Sequence, residues 1–201
     1  MAGKNRHPVI VDTDALIATA NTQLWPRIVS TLNLTTTNVC IQELKRHIRE
    51  RSKYARSGSR EQRLYEGSIA ALEPFEDESN NAFIVSTCVP RPHGEDAGEE
   101  SIRKEVAQYP ETYRYAILMD REGRIAINRA FEEAGAGGKA IAPPFLLYLL
   151  LDADACTKEE FCCACGELLE TEGWTGYQAV QAAWEAIPID CSEFLSDRVL
   201  P

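Results

Sequence analysis

The chain has 201 residues, 44% of them hydrophobic, and a formal net charge of −10. That length suffices for one domain with a substantial core, or one domain plus an appendage, and the apolar fraction excludes a disordered chain. The acidic balance argues against indiscriminate nucleic-acid binding, and no apolar run approaches the roughly 18 to 20 residues of a membrane span.

Met1 to Pro8 leads directly into Val9-Ile10-Val11 without the apolar segment of a signal peptide, so a cytoplasmic protein is expected. The β-branched run Val9 to Val11 reads as a strand buried on both faces. Two helices should follow, then a second strand at Leu34-Thr35-Thr36-Thr37. Asn38 reads as the N-cap of a helix with Ile41, Leu44 and Ile48 at helical spacing. Ser57-Gly58-Ser59 interrupts that pattern, and a further helix covers about 60 to 72. Phe83 to Val89 predicts a third strand, ended by Pro90-Arg91-Pro92-His93-Gly94. A helix from about Gly98 to Gln108 precedes a strand at Tyr115 to Met119. Another helix runs from about Glu122 to Ala134 and stops at Gly135-Ala136-Gly137-Gly138. Lys139 to Ala142 is a short last strand. The alternation predicts an α/β fold with a parallel sheet covered on both sides. The remainder is helical, over about 144 to 151, 158 to 171 and 176 to 186, with Thr157 and Glu160 as a capping box for the middle helix.

Four acids stand where apolar runs give way to helices. Asp12 follows Val9-Ile10-Val11, Glu43 lies at the start of a helical segment, Glu99 opens a helix after the Phe83 run, and Asp120 closes Tyr115 to Met119. In an open α/β sheet the strand carboxyl ends share one edge, where ligands bind. Carboxylates gathered there repel one another unless protons or cations compensate, and a divalent-metal site is the economical explanation. Asp12 also suits helix capping, and Glu99 competes with Glu95, Asp96 and Glu100 within one acidic helix start. Arg46 and His47 share the polar side of Glu43, at i+3 and i+4.

Between residues 44 and 63 eight cations face two glutamates, a local +6 within the net −10. Lys45, Arg49 and Arg56 fall within about 60° around a helix axis, a stripe beside Glu43 and Arg46 suited to a phosphodiester backbone. The seven cysteines read as reduced, packed as small apolar side chains. His7, His47 and His93 are scattered, which disfavours a histidine general base, and Trp25, Trp174 and Trp184 read as core or interface.

In order and spacing, Val9-Ile10-Val11-Asp12-Thr13-Asp14, Glu43-Leu44-Lys45-Arg46, Gly98-Glu99-Glu100-Ser101 and Leu118-Met119-Asp120-Arg121-Glu122-Gly123-Arg124 resemble the four acidic stations of the PIN-domain nucleases. The resemblance covers roughly residues 8 to 150 and is nearest a prokaryotic branch in which many proteins are toxins paired with an antitoxin. It implies a three-layer α/β/α fold with about four to five parallel strands and a Mg²⁺- or Mn²⁺-dependent endoribonuclease. Its metal and catalytic residues would be Asp12, Glu43, Glu99 and Asp120, with Asp96 second to Glu99 and with Thr13 and Asp14 behind them. RNA, rather than DNA, would be the partner, contacted by Lys45, Arg46, Arg49 and Arg56. The family often has Asn at the position of Asp14 and a second acid at that of Arg121; here Glu122, one residue on, is the substitute ligand.

Residues 1–150 would form the nuclease domain and 151–201 a helical extension packed on it, with Pro144 to Leu151 and the tail available for a homodimer interface. Two other readings stand. One is a PIN-like module that binds RNA or protein without cutting. The other is a haloacid-dehalogenase-type phosphatase, from Asp12-Thr13-Asp14, although that family expects Thr where this chain has Leu16.

Overall fold

Three consecutive β-branched residues form β1 (Val9–Val11), and all three are buried, as a central strand requires. β2 (Leu34–Thr37) lies parallel beside it, with Val9 opposite Leu34, and is buried throughout despite three threonines. Thr36 satisfies its hydroxyl by donating to the Val11 carbonyl at 2.7 Å. β3 (Ala82–Val85), β4 (Tyr115–Ile117) and β5 (Lys139–Ile141) complete an all-parallel sheet of order β3-β2-β1-β4-β5. The computed structural model describes residues 8–77, 81–90, 94, 96–171 and 174–194. His7, His93, Glu95 and the side chain of Trp174 lie outside the described residues.

The chain builds β1, β2 and β3 outward in one direction, then returns to place β4 on the other side of β1. The reversal between β1 and β4 is a topological switch point, the place where open α/β sheets hold ligands. Helices α1 (Thr13–Ala20) and α2 (Trp25–Thr31) follow β1, and α3 (Asn38–Arg51) and α4 (Arg60–Glu76) follow β2. Next come α5 (Ala97–Gln108) after β3 and α6 (Arg121–Glu133) after β4. Helices α7 (Pro143–Asp152), α8 (Lys158–Thr171) and α9 (Trp174–Glu185) close the chain. This is a three-layer α/β/α arrangement, as the alternating pattern predicts.

Local chemistry sets the helix starts. Side chains of Asp12, Thr37, Ser59 and Asp120 accept from backbone amides three residues on. The cap of α3 is therefore Thr37, one residue before the expected Asn38, whose own Oδ1 accepts from the Thr87 amide at 2.8 Å. The capping box is present: the Thr157 amide donates to Glu160 Oε2 at 2.8 Å and the Glu160 amide donates to Thr157 Oγ1 at 3.2 Å. β3 ends at Val85, short of the expected Val89, and leaves Phe83 and Ile84 exposed.

One apolar core runs from β1, α1 and α2 into the C-terminal helices, joining Leu16, Ile28, Leu146, Phe161 and Leu168. Leu146, Leu147 and Leu150 of α7, expected to serve a dimer interface, are fully buried within this chain. Trp25 is buried and its indole N–H donates to the Ala70 carbonyl at 3.0 Å. The expectation of uniformly reduced cysteines fails at one pair: Cys162 and Cys191 form a disulfide with Cα atoms 5.4 Å apart. Nothing in their local spacing signals it, because the fold alone brings α8 and the segment after α9 together.

Candidate metal centre and flanking recesses

Asp12 is the buried member of the set, 5% exposed at the carboxyl end of β1. Its Oδ1 accepts from the Ala15 amide at 2.7 Å, its Oδ2 from the Met119 amide at 3.3 Å, and its own amide donates to the Ile117 carbonyl. The residue thus links β1, α1 and the end of β4. Burial, and then the neighbouring charges of Asp14 and Glu99, push its carboxyl well above the usual range.

Glu43 reaches the same edge from α3. Its Oε2 accepts from Thr13 Oγ1 at 2.6 Å and its Oε1 from the Gly98 amide at 3.2 Å. A β-carbon at Gly98 would lie 2.6 Å from Oε2, so glycine lets the carboxylate rest on the first turn of α5. Glu99, the next residue, rests in turn on α6: a β-carbon at Gly123 would lie 2.6 Å from its Oε2. Burial, and then Asp120, Asp96, Asp14 and Glu43, raise the Glu99 carboxyl to about 7. Asp120 is exposed and caps α6, its Oδ2 accepting from the Gly123 amide at 2.7 Å. Four acids from distant stretches therefore stand on one sheet edge, close enough to feel one another's charge. Asp12 and Asp120 cap helices as well, and a carboxylate oxygen with two lone pairs is able to do both.

The chemistry of this set fits a hard divalent cation, which takes carboxylate oxygens. No group of three Asp, Glu, His or Cys side chains is drawn together in ligand geometry among the described residues. The carboxylates are held individually, by hydrogen bonds from Thr13, Gly98, Gly123 and Met119.

Two recesses flank the acids. A smaller one of about 370 Å³ is lined by Asp12, Asp14, Glu43, Glu99, Arg46 and His47, among others. Desolvation first, then Arg51, holds the His47 imidazole below its usual range. A larger recess of about 850 Å³ lies on the β5 side, with Asp120, Arg60, Arg121, Arg124 and the apolar Ile141 and Phe145 in its walls. Asp14 and Arg51 line both, so the two recesses lie on either side of these side chains.

The whole chain, residues 1–201, matches the profile described as the halobacterial PIN domain. The chain belongs to that family. Comparison with curated proteins and with solved structures finds no match. PIN domains are generally nucleases and use divalent metals, which gives the acid cluster its general meaning. The match of this PIN domain spans the C-terminal helices too, in keeping with the core they share with α1 and α2. Leu16, the position that counted against a phosphatase, is fully buried in the core and offers the site no hydroxyl.

Sequence reading and structure part company over the cations. The expected stripe breaks because α3 ends at Arg51, leaving exposed Arg56 in the connection to α4. Lys45 pairs with Glu76 at 3.2 Å and, with Arg49, lines neither recess; Arg46 does. Glu122 is exposed on the first turn of α6 and also lines neither recess. Sequence reasoning missed Gly98 and Gly123 as seats for carboxylates, and Arg51, Arg60, Arg121 and Arg124 as recess walls. Their signal was present only as a glycine directly before Glu99 and another three residues after Asp120.

Proposed function

We propose that this PIN domain is a divalent-metal-dependent endoribonuclease whose centre is Asp12 with Glu43, Glu99 and Asp120 around it. The observation that carries the reading is convergence: Asp12, Glu43 and Glu99 line one recess and Asp120 the next, and the Asp12 and Glu99 carboxyls are raised in part by neighbouring acids. Such a concentration of negative oxygens destabilises an uncompensated fold and serves a cation. When bound, Mg²⁺ or Mn²⁺ supplies charge neutralisation at the phosphoryl oxygens and lowers the pKa of water.

The chain's own contribution is positional. Asp12 is fixed from two directions by the Ala15 and Met119 amides. Thr13 and Gly98 orient the two oxygens of Glu43 separately. Glu99, its carboxyl raised to about 7, would give up its proton on holding a divalent cation. Arg46, on the wall of the acidic recess, supports phosphate approach beside Glu43.

The test is incubation of purified protein with labelled RNA and DNA oligonucleotides in Mg²⁺, Mn²⁺ or chelator. RNA should be cut only with metal, and Asp12→Asn should fold but not cut. Undiminished cleavage by Asp12→Asn removes the proposed centre. Arg121, exposed where the family often has an acid, favours a second reading as an RNA-binding module that does not cut. A Mn²⁺ titration separates the two, because such a module has no need of tight metal binding.

A further inference from the structure

We propose that the larger recess is a nucleotide subsite, taking one unstacked base of single-stranded RNA while Arg121 at its wall holds the adjoining phosphate. The inference rests on the RNA reading above and adds to it where one base of the strand lies and which side chain holds its phosphate.

The volume of about 850 Å³ falls within the roughly 300 to 1,000 Å³ of small-ligand sites, ample for a nucleotide. Its lining divides by chemistry. Met119, Ile141, Ala142 and Phe145 present apolar surface, which a base removed from its stack needs. Arg124 is committed to the end of β4, donating to the Leu118 carbonyl at 2.9 Å and the Met119 carbonyl at 2.6 Å, and so stiffens the wall. Arg121 is exposed on the first turn of α6, directly after Asp120. An arginine at this position contributes phosphate affinity where an acid would contribute metal affinity. Because Asp120 and Asp14 line this recess themselves, a base inside it places its neighbouring phosphate toward the acids. Bases in an intact duplex stay paired and stacked, so only a single strand or loop complies.

The experiment measures binding in chelator, where cleavage does not interfere, using the full chain and a fluorescein-labelled RNA 12-mer. The probe is offered as a single strand, as its duplex, and as a single strand with abasic sites. Expected are tighter binding of the intact strand than of either competitor, and an Arg121→Gln loss of about tenfold, equivalent to ~1.4 kcal/mol. Ala182→Trp, at an exposed position in the recess wall, should reduce binding of the intact strand to that of the abasic one without changing any charge. Equal affinity for duplex and single strand, or unchanged affinity in either variant, overturns the subsite. Failure to cleave in Mg²⁺ or Mn²⁺ would count against the nuclease reading alone and leave this binding result standing.

Discussion

Glu99 of α5 rests against Gly123 of α6, where a β-carbon would come within 2.6 Å of Oε2. The contact sets the position of an acid that Asp120, Asp96, Asp14 and Glu43 crowd. Ala favours a helix interior over Gly by up to about 1 kcal/mol, so Gly123→Ala should not lower the melting temperature. It should displace Glu99 and weaken Mn²⁺ binding by about 10-fold or more, the usual cost of disturbing a ligand's support. Calorimetric titration together with thermal melts checks both halves; unchanged Mn²⁺ affinity would separate Glu99 from the site.

Two glutamates should tilt the pH dependence of stability in opposite senses. Glu99 has its folded value raised from 4.5 to about 7. Its contribution is thus full below about pH 4.5 and is lost as pH rises toward and through 7 in metal-free protein. Glu160 has its value lowered from 4.5 to about 2, chiefly by its hydrogen bonds from Arg27 at 2.6 and 2.7 Å. Its contribution is present above about pH 4.5 and is lost as pH falls through about 2. In chelator, Glu99→Gln should flatten the neutral limb of the melting profile and Glu160→Gln the acid limb. Identical profiles for Glu99→Gln and the parent would contradict the crowding of charge at the site.

Glu122 stands one residue beyond Arg121, where the family often has its second acid, yet a helix turns by about 100° per residue. Exposed and outside both recesses, it should be dispensable. Glu122→Gln should keep Mn²⁺ affinity within about twofold, while Asp120→Asn lowers it by about 10-fold or more, read in the same titration. A comparable loss for Glu122→Gln would restore it as a ligand.

The Cys162–Cys191 bond closes a span of 29 residues and ties α8 to the segment beyond α9. Chain-entropy arguments put such a closure at roughly 3 kcal/mol. Reduction, or the Cys162→Ser and Cys191→Ser pair, should therefore lower stability by that order in denaturant melts. Metal affinity should hold, since neither cysteine lines either recess.

Periodicity and chain order made most of the layered sheet legible. Val9 to Val11 has to be a buried central strand because no other element accommodates three β-branched residues with both faces apolar. Asp12, Glu43, Glu99 and Asp120 were legible because acids at strand-to-helix junctions converge in any parallel sheet. The cations were not. A helical wheel places Arg56 with Lys45 and Arg49 only while the helix lasts, and it ends at Arg51. Where α6 and the β5 side meet, Arg121 and Arg124 join Arg60 from another layer, a neighbourhood that no local window of sequence contains. The glycine seats are also tertiary facts: Gly98 and Gly123 matter through the side chains of Glu43 and Glu99, which reach them from other helices. Sequence by itself determined the strands, the helices and the edge where the acids gather, since those follow from short-range patterns. Packing between layers decided which arginines line the recesses and which residues support each carboxylate, because those contacts depend on side chains brought together from remote parts of the chain.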